Sequence, residues 1–519
     1  MTILLLVLLG AALALAERLV ALRWYGAWFA QGMNGDAAVH YTIIRALKEN
    51  WRTRWIDQYL ISFEPMSYPT AFHRYAGLFS LAALRRRPWL PNLVLAVVVL
   101  PAFLVYVQHL VPVAGTARDH FLVVAGVVFA FATANLVFHG PAIAYLGLSE
   151  RYLGRVACAA TFVFILGGHG FGDAASWWLA VAAGTVAVLS SVFARQALLF
   201  SSPVLSLVWL DAGPVLVVLA SFALALFIAP RHLTASMRHT VRQWRLYATH
   251  TKRGRLQRGV LSYYVRPRWL WQHRHQPVDV AEELVRREPT RSILAYPELT
   301  LVAVLLVVTA VSGHVGRLVL GPLIASGAVY AATSTDWLNH LGESYRYLEY
   351  ELYFTVPVIV AIQAQWVSWG WDLVLLGCYL VAVAGAMVLW IRVVPRYSRP
   401  VHPDELSAFM DDVDKPVGSV VYPIPMLMAP DICARYETCQ SFWWQPGMMT
   451  VKIYDEFMEE FPFLKRDFWP LFDKYGVTLV VCDKSQLHHI DWSYDMSGLV
   501  HVKENDRFAA YRVPCHDAA

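Results

Sequence analysis

Charged side chains are scarce in this sequence. Only 16% of the 519 residues are Asp, Glu, Lys or Arg, while 57% are hydrophobic; soluble globular chains carry roughly 25% charged residues. A charge at the centre of a bilayer costs on the order of 3 kcal/mol, and apolar runs long enough to cross a membrane recur along most of the chain. The composition therefore argues against an ordinary soluble domain and predicts a protein with many membrane spans.

Several motifs of known chemistry are also absent. The sequence has no P-loop, no Gly-x-Ser-x-Gly elbow and no His-Glu-x-x-His helix, so ATP-driven transport and the two matching hydrolase classes have no support. The six cysteines form no Cys-x-x-Cys pair, which argues against a metal cluster; Cys433 and Cys439 either bridge or stay free. The net charge of +5 comes mostly from one loop and indicates membrane topology rather than nucleic-acid binding.

Apolar and polar segments alternate and define the organisation of the chain. The predicted fold is mainly α: a polytopic helical bundle of about 10–13 spans over residues 1–393, then a small soluble α/β domain over residues 394–519. Two polar segments interrupt the spans. Residues 24–72 form a first external loop, and residues 231–291 hold 14 Lys or Arg against 4 Asp or Glu. Because short basic loops favour the cytoplasm, the second segment is predicted to be cytoplasmic.

The apolar runs predict where the chain crosses the membrane. The triplet Arg85-Arg86-Arg87 ends a short run and is expected on the cytoplasmic side. Asp211 and Pro214 interrupt the longest run and are expected to split it into two helices. Spans are predicted at about 2–22, 70–84, 91–113, 121–138, 154–168, 174–193, 196–229, 297–313, 317–333, 352–369 and 372–393.

Local periodicity predicts structure outside the spans. Within residues 36–50, Val39, Ile43 and Leu47 recur at helical spacing, so an amphipathic helix is expected there, lying along the membrane surface. The tail is predicted to contain strands at 418–422, 477–482 and 508–513, and helices at 454–461 and 467–475.

Asp36 is the first candidate for chemistry. It follows Asn34-Gly35 in the first polar loop, and His40 comes four residues later, so the two would share one face of a helix. An acid just outside the first span can act as a general base or hold a metal. An Asp at the start of a helix is also an ideal N-cap, and the sequence leaves both roles open.

Two further polar groups lie at span boundaries. Tyr68 opens a Tyr-Pro pair, with His73 and Arg74 following where the first loop returns to the membrane. The alternative role of these side chains is interfacial anchoring, with the arginine snorkelling to water. Glu150 stands beside Arg151 between two spans, where it either pairs with that arginine or faces a polar cavity.

A fourth group, between residues 333 and 351, is rich in charge. Ionisable groups at membrane depth usually mark function, and the planar fork of an arginine can bind phosphate. The alternative is an interfacial loop whose charges pair with one another. If every apolar run crosses once, this group falls on the side opposite Asp36, whereas the order of the motifs favours the same side. Its ionisable residues are Asp336, Glu343, Arg346, Glu349 and Glu351.

These four pieces, in this order, resemble the GT-C superfamily of polytopic glycosyltransferases, and most closely its bacterial members of unassigned specificity. In that pattern an Asp opens a large first external loop, here Asp36, and a Tyr-Pro precedes the second span, here Tyr68-Pro69. A Gly-Glu-x-x-Arg-Tyr-Leu segment at 342–348 and a Lys-Tyr-Gly-Val-Thr phrase at 474–478 are similar as well. The resemblance covers nearly the whole chain and rests on the order of the motifs.

The resemblance implies transfer of a sugar from a polyprenyl-phosphate donor to a lipid, glycan or protein acceptor, with inversion and with Asp36 as the base. Many relatives carry an Asp in a later external loop. The nearest candidate here is Glu150, which would bind a divalent cation, magnesium or manganese; the sequence leaves open whether any cofactor is needed. The residues implied in binding the substrate and its lipid phosphate are His40, Tyr68, His73, Arg74, Glu343, Arg346 and Tyr347.

The resemblance further implies a multi-pass protein of the bacterial inner membrane, with the active site facing the periplasm and no nucleic-acid partner. Two other functions stay open. A transporter or lipid flippase also needs many spans with intramembrane charges, although the long first loop and the folded tail fit it less well. A polysaccharide polymerase or ligase also uses polyprenyl-linked sugars, but would be expected to concentrate its essential groups in a late external loop.

Overall fold

Helices dominate the structure, and a small mixed sheet forms toward the C-terminal end, in line with the mainly α fold predicted. A computed structural model of the chain describes residues 8, 11, 12, 15, 36–52, 68–110, 148–252, 271–276, 314–333, 338–341, 346–348, 350, 403–425, 428–436, 439–441, 468–485 and 497–514. Several predicted elements lie outside these described residues: those at 121–138, 297–313, 352–369, 372–393 and 454–461, and nearly all of 2–22.

Two elements predicted near the start of the chain are present. The helix expected at 36–50 is α1, Asp36–Glu49. The expected span at 91–113 corresponds to α4, Leu90–Leu110, which keeps its helical course through an internal proline. The first follows from apolar residues at helical spacing, and the second from a long apolar run.

The run at 70–84 was predicted to cross the membrane, and this prediction is wrong. It folds as two helices of six residues each, α2 at Ala71–Ala76 and α3 at Leu81–Arg86. Six helical residues rise only about 9 Å, against a hydrocarbon core of roughly 30 Å. The break between them is fixed by Ser80, whose side chain accepts a hydrogen bond from the backbone N–H of Ala83 and starts a new helix.

A helical bundle follows. Its helices are α5, Arg151–Phe171; α6, Ala174–Ser190; α7, Val192–Trp209; and α8, Gly213–Ile228. Helices α5 and α6 are antiparallel, because Gly168 lies against Trp177 and Gly184 lies against Thr161. Helix α7 then runs parallel to α5. We call the end where α5 and α7 begin the near end, and the opposite end the far end.

The predicted split at Asp211 and Pro214 is confirmed. Helix α7 ends where Leu210 takes a left-handed conformation (φ 55°). Asp211 then accepts a hydrogen bond from the backbone N–H of Gly213 at 2.8 Å, and Pro214 stands in the first turn of α8. Proline suits that position because its missing N–H would have no helical partner there.

The bundle has the composition of membrane helices. Within the described residues, α5 and α7 are long and apolar enough to cross a membrane, and α6 and α8 are apolar but shorter; length and composition are the whole basis of this assignment. Large apolar side chains also face outward, among them Trp178 on α6 and Phe227 on α8, which are 78% and 85% exposed. Outward apolar surface of this kind fits a lipid environment.

Two later helices pack on the bundle: α9, Pro230–Lys252, and α10, His314–Thr333. Helix α9 follows α8 at once and therefore begins at the near end. Its Ser236 hydroxyl accepts a hydrogen bond of 2.8 Å from Arg195, in the first turn of α7.

The start of α9 and helix α1 lie at the same end of the bundle. Helix α1 is placed there by the contact of its His40 with Glu150. From its start, α9 packs along α7, with Ser236 at Arg195 and Trp244 at Phe200. Residues 253–270 and 277–291 of the basic segment lie outside the described residues, so the cytoplasmic location of the segment 231–291 and the external location of the first loop stay predictions.

The arginine triplet was placed on the side opposite the first loop, and this prediction is also wrong. The Arg85 guanidinium lies 5.5 Å from the ring centre of Tyr41 on α1 and donates a hydrogen bond to the backbone carbonyl of Ala434. Residues 68–87 therefore stay at the near end, and α4 starts from there.

The tail forms a five-stranded sheet in the order β2-β1-β3-β5-β4, in which β2, β1 and β3 are parallel and β5 and β4 are antiparallel to their neighbours. The strands predicted at 418–422, 477–482 and 508–513 and the helix predicted at 467–475 are present. The elements are α11, Pro403–Asp411; β1, Ser419–Ile424; α12, Ala429–Arg435; β2, Cys439–Ser441; α13, Trp469–Tyr475; β3, Leu479–Asp483; β4, Val500–Glu504; and β5, Phe508–Arg512.

Helix α12 packs against α1 and joins the tail to the near end. Val39, Ile43 and Leu47 lie on α1 at the predicted helical spacing and cluster with Cys433 of α12, which is buried. The expectation that α1 lies along the membrane surface is therefore corrected: every described side chain from residue 37 to 47 is buried within the protein.

Candidate functional site

Side chains from three separate parts of the chain meet at the near end. His40 comes from α1, His73 from α2 and Glu150 from the residue before α5. The Nδ1 atom of His40 lies 2.9 Å from Nε2 of His73, and its Nε2 lies 2.7 Å from Oε2 of Glu150. Tyr68 donates its hydroxyl proton to Oε1 of Glu150 at 2.5 Å. We call these four residues the near-end network.

Local structure explains how Glu150 becomes available. An acid at the start of a helix normally caps the free backbone N–H groups, but Glu150 makes no side-chain capping bond to α5. Its carboxylate turns instead toward His40 and Tyr68, and its residue is only 3% exposed. A buried carboxylate must be compensated by hydrogen bonds or charge; His40 and Tyr68 supply hydrogen bonds, and Arg151 supplies a nearby positive charge.

The environment lowers the pKa of the Glu150 carboxyl far below its usual value. Burial alone would raise the pKa, but the attraction of His40, the hydrogen bonds from His40 and Tyr68, and the nearby charge of Arg151 together exceed that effect. Glu150 is therefore an anion at neutral pH. Both of its oxygens are acceptors, so the facing nitrogen of His40 must carry a proton.

His73 is fully buried, and its pKa is lowered well below the usual 6.5. Burial is the largest cause, the electrostatic interaction with His40 lowers the pKa further, and the interaction with Glu150 raises it. A neutral His73 carries one ring proton, either on Nε2 toward His40 or on Nδ1 toward the backbone carbonyl of Pro69. The Nδ1 atom is buried.

Asp36 is the first residue of α1, one helical turn before His40. Positions four apart share a face of a helix, so position 36 adjoins the near-end network as the sequence predicted. The side chain of Asp36 lies outside the described residues. Its roles as base and as N-cap both stay open.

Arg195 is a member of this region that the sequence did not single out. It is buried on α7, donates from Nη2 to Ser236 and from Nη1 to the sulfur of Met237 at 3.6 Å, and interacts electrostatically with Tyr68. Both hydrogen-bond partners are neutral, and no carboxylate in the described part of the chain pairs with it. The signal in the sequence was a lone arginine between two apolar runs, which resembles an interfacial anchor.

Arg346 and Tyr347 reach the same region. The Arg346 guanidinium lies 4.1 Å from the ring centre of Phe193, two residues before Arg195 on α7. Tyr347 is buried and donates its hydroxyl proton to the carbonyl of Leu341 at 3.0 Å. Glu343, which the sequence placed in the same group, lies outside the described residues.

The side on which this segment lies is settled by Tyr350. Its hydroxyl lies 3.3 Å from that of Ser191, and its ring approaches Gly154, one turn after Glu150. Residues 346–348 and 350 are therefore at the near end together with His40. The order of the motifs predicted this side correctly, and a simple count of apolar runs did not.

Arg74 stands apart from the network in the contacts it makes. Its guanidinium donates to the backbone carbonyl of Trp51 at 3.1 Å and lies 4.4 Å from the centre of that indole ring. These contacts match the anchoring role that the sequence left open for this arginine.

Glu150 does not fit a divalent-cation site in the described structure. Both carboxylate oxygens are engaged by neighbouring donors, whereas a magnesium or manganese ligand must offer its lone pairs to the ion. No group of three or more metal-ligating side chains occurs in the described ranges. A metal requirement stays a prediction, and no step below depends on one.

No family model matches the sequence, and no curated protein matches it. Two similar solved structures are of ArnT from Cupriavidus metallidurans. The apo structure has a TM-score of 0.41 at 12% identity, over 96% of this chain and 97% of that chain. The structure with bound undecaprenyl phosphate has a TM-score of 0.37 at 12% identity, over 98% of each chain. At these TM-scores the likeness is too weak to support a conclusion about fold or activity.

Proposed function

We propose that this protein is a membrane glycosyltransferase that moves a sugar from a polyprenyl-phosphate donor to an acceptor hydroxyl. The observation that carries the proposal is the near-end network: three motifs, singled out for one catalytic site, meet at one end of an apolar helical bundle. Position 36 adjoins this network, and two buried arginines, Arg195 and Arg346, lie on the same end. A buried acid–imidazole system beside cations suits a reaction that moves a proton and releases a phosphate.

In the proposed reaction the acceptor oxygen attacks the anomeric carbon from the face opposite the lipid phosphate. A carbon–oxygen bond forms as the bond from the sugar to the phosphate oxygen breaks, which inverts the anomeric centre. Asp36 takes the proton from the acceptor hydroxyl, a contribution of typically 10²–10⁴-fold. The phosphate leaves with its electron pair, and Arg346 and Arg195 offset the negative charge that grows on it.

The near-end network positions this chemistry. Ionised Glu150 accepts a hydrogen bond from Nε2–H of His40, and neutral His73 shares a hydrogen bond with the other nitrogen of His40. These bonds fix the orientation of α1 relative to the bundle, and with it the place of Asp36. Because all three side chains are buried, competing water is excluded from the hydrogen bonds, which makes each bond stronger than it would be in water.

The test is sugar transfer from a panel of polyprenyl-phosphate donors in membranes, comparing wild type with Asp36→Asn at equal protein levels. We expect a loss of roughly 10²-fold or more, because the amide cannot accept the proton. The control is Asp173→Asn, which changes an acid at the far end that caps α6; it should retain activity. Full activity in Asp36→Asn would make this residue a helix cap and refute the mechanism, and a wild type inactive with every donor would refute the function.

A further inference from the structure

One face of α7 carries a buried amide between two aromatic rings. Phe193, Gln196 and Phe200 are spaced three and four residues apart, so they lie on the same side of the helix. Gln196 is only 3% exposed. Burying a polar amide among apolar side chains costs free energy unless the amide is hydrogen-bonded, so the groups around Gln196 decide what this residue can do.

Phe200, one helical turn after Gln196, is the centre of an aromatic group. Its ring centre lies 6.0 Å from that of Trp244 on α9 and 6.0 Å from that of Tyr347. Three separate parts of the chain therefore meet on this face of α7. We call Gln196, Phe200, Trp244 and Tyr347 the aromatic–amide site.

Two polar atoms of this site are buried without a hydrogen-bond partner in the described part of the chain. They are Oε1 of Gln196 and Nε1 of Trp244. The amide oxygen accepts hydrogen bonds, and the indole N–H can only donate one. Since buried polar groups of native proteins nearly always have partners, the site is suited to a ligand that both donates and accepts.

A sugar matches this chemistry. Each sugar hydroxyl donates and accepts, so it can bond to either atom of an amide and to an indole N–H. The C–H groups of a sugar ring are apolar and can pack on aromatic side chains, which commonly line sites for small ligands. A polyprenyl chain has no hydroxyl, and a phosphate oxygen cannot donate to the amide oxygen.

The site adjoins the groups assigned to the lipid phosphate in the proposed function. Arg195 precedes Gln196 on α7, and the Arg346 guanidinium lies 4.1 Å from the ring centre of Phe193, on the same face as Gln196. In a glycosyl phosphate the sugar is bonded directly to the phosphate. A phosphate held by these arginines therefore brings its sugar close to the aromatic–amide site.

We propose that Gln196 and Trp244 bind hydroxyl groups of the donor sugar and thereby select which sugar is transferred. The identity of the ligand rests on the proposed function. A site built to bond a hydroxyl discriminates against a sugar that lacks it, because the buried polar group is then left without a partner. Loss of one such bond lowers affinity by about tenfold.

The test measures binding to the full purified chain in nanodiscs, without an acceptor, so that no transfer takes place. The ligands are a panel of pentosyl and hexosyl polyprenyl phosphates, the monodeoxy analogues of the sugar that binds most tightly, and polyprenyl phosphate without a sugar. The test variants are Gln196→Met, which keeps the length of the side chain and removes the amide, and Trp244→Phe, which keeps an aromatic ring and removes the N–H.

The matched control is Thr161→Val. Thr161 is also buried in the bundle, on α5, and its hydroxyl donates to the Ala157 carbonyl of the same helix at 2.7 Å. The control therefore removes a buried polar group that already has a partner, and we expect it to bind every ligand as the wild type does.

We expect the wild type to bind a sugar-bearing lipid more tightly than polyprenyl phosphate. Each test variant should lose roughly tenfold of its affinity for the sugar-bearing lipid and keep its affinity for polyprenyl phosphate. One monodeoxy analogue should bind the wild type about tenfold more weakly than the parent sugar, and should bind Gln196→Met as well as the parent does.

Three outcomes would overturn the proposal. Wild-type affinities in both test variants would mean that only water bonds to these two atoms. Equal losses for polyprenyl phosphate and for the sugar-bearing lipid would make the effect structural. A wild type that binds no sugar-bearing lipid more tightly than polyprenyl phosphate would show that there is no sugar site.

Failure of this proposal differs from failure of the proposed function. A wild type that transfers sugar, with test variants that bind as it does, would refute the role of Gln196 and Trp244 alone. Sugar binding that depends on Gln196, in a wild type that transfers sugar to no acceptor, would refute the glycosyltransferase and leave the sugar site standing.

Discussion

The Nε2 atom of His40 lies 2.7 Å from Oε2 of Glu150, and both side chains are buried. The pair ties the first loop to the first turn of α5. Since the carboxylate is ionised and enclosed, it is stabilised by the hydrogen bonds of the network and by the nearby charge of Arg151.

Replacing Glu150 by Gln should therefore lower the free energy of unfolding by about 2–4 kcal/mol, because an amide leaves the protonated nitrogen of His40 without an anionic acceptor. Tyr68→Phe, which removes one hydrogen bond and keeps the charge, should cost about 1 kcal/mol. Thermal and denaturant unfolding of the purified proteins would measure both. Equal stability of Glu150→Gln and wild type would show that the pair does not hold α1 in place.

Stability should fall on acidification below pH 6.5, the usual value for histidine. In that range the unfolded chain binds a proton on His73, while the buried ring, with its lowered pKa, does not, so protons favour unfolding. The slope is at most about 1.4 kcal/mol per pH unit for one group. Melting temperatures from pH 8 to pH 5 should fall less steeply in His73→Asn than in wild type. An equally steep fall in His73→Asn would show that this ring does not cause the sensitivity to acid.

Gly154 and Gly327 should respond oppositely to alanine. A Cβ at Gly154 would lie 2.4 Å from the Cβ of Ser191, whereas one at Gly327 meets nothing within 4 Å in the described structure. Gly154→Ala should cost about 1–3 kcal/mol, because α5 and α7 must separate. Gly327→Ala should gain about 0.4–1 kcal/mol by restricting the unfolded chain. Unfolding of the two variants under one set of conditions tests this, and a neutral Gly154→Ala would show that the two helices do not touch there.

The helices could be predicted because each depends on residues close in sequence. The break at Asp211 and Pro214 is an example: a helix-breaking proline and a capping acid act within a few residues. The failed span at 70–84 has a local cause as well, since the cap at Ser80 outweighs the apolar composition around it. The apolar composition of a segment shows whether it is compatible with a bilayer, but it does not show at which residue a helix ends.

The members of the near-end network could also be identified from the sequence, but the contacts between them could not be predicted from it. His40, His73 and Glu150 were each singled out by their position beside a span, and their contacts join distant segments that only the packed bundle brings together. Arg195 escaped because a lone arginine between two apolar runs is common at membrane boundaries. Its burial against Ser236 depends on the packing of α9 against α7, which charge counting does not predict.

The docking of α12 has a consequence for the order of assembly. Arg45 on α1 is 1% exposed and donates to the carbonyl of Cys433 at 3.2 Å, and Arg85 donates to the next carbonyl, that of Ala434. Carbonyls in the last turn of a helix lack internal partners and attract cations. The ribosome synthesises Arg45 long before Cys433. Until the tail has been made, the Arg45 guanidinium lacks this carbonyl acceptor and stays hydrated. The helix that carries His40 can seat fully only after the tail has been made and has reached the same side of the membrane, which makes maturation of the site one of the last events in the biogenesis of this protein.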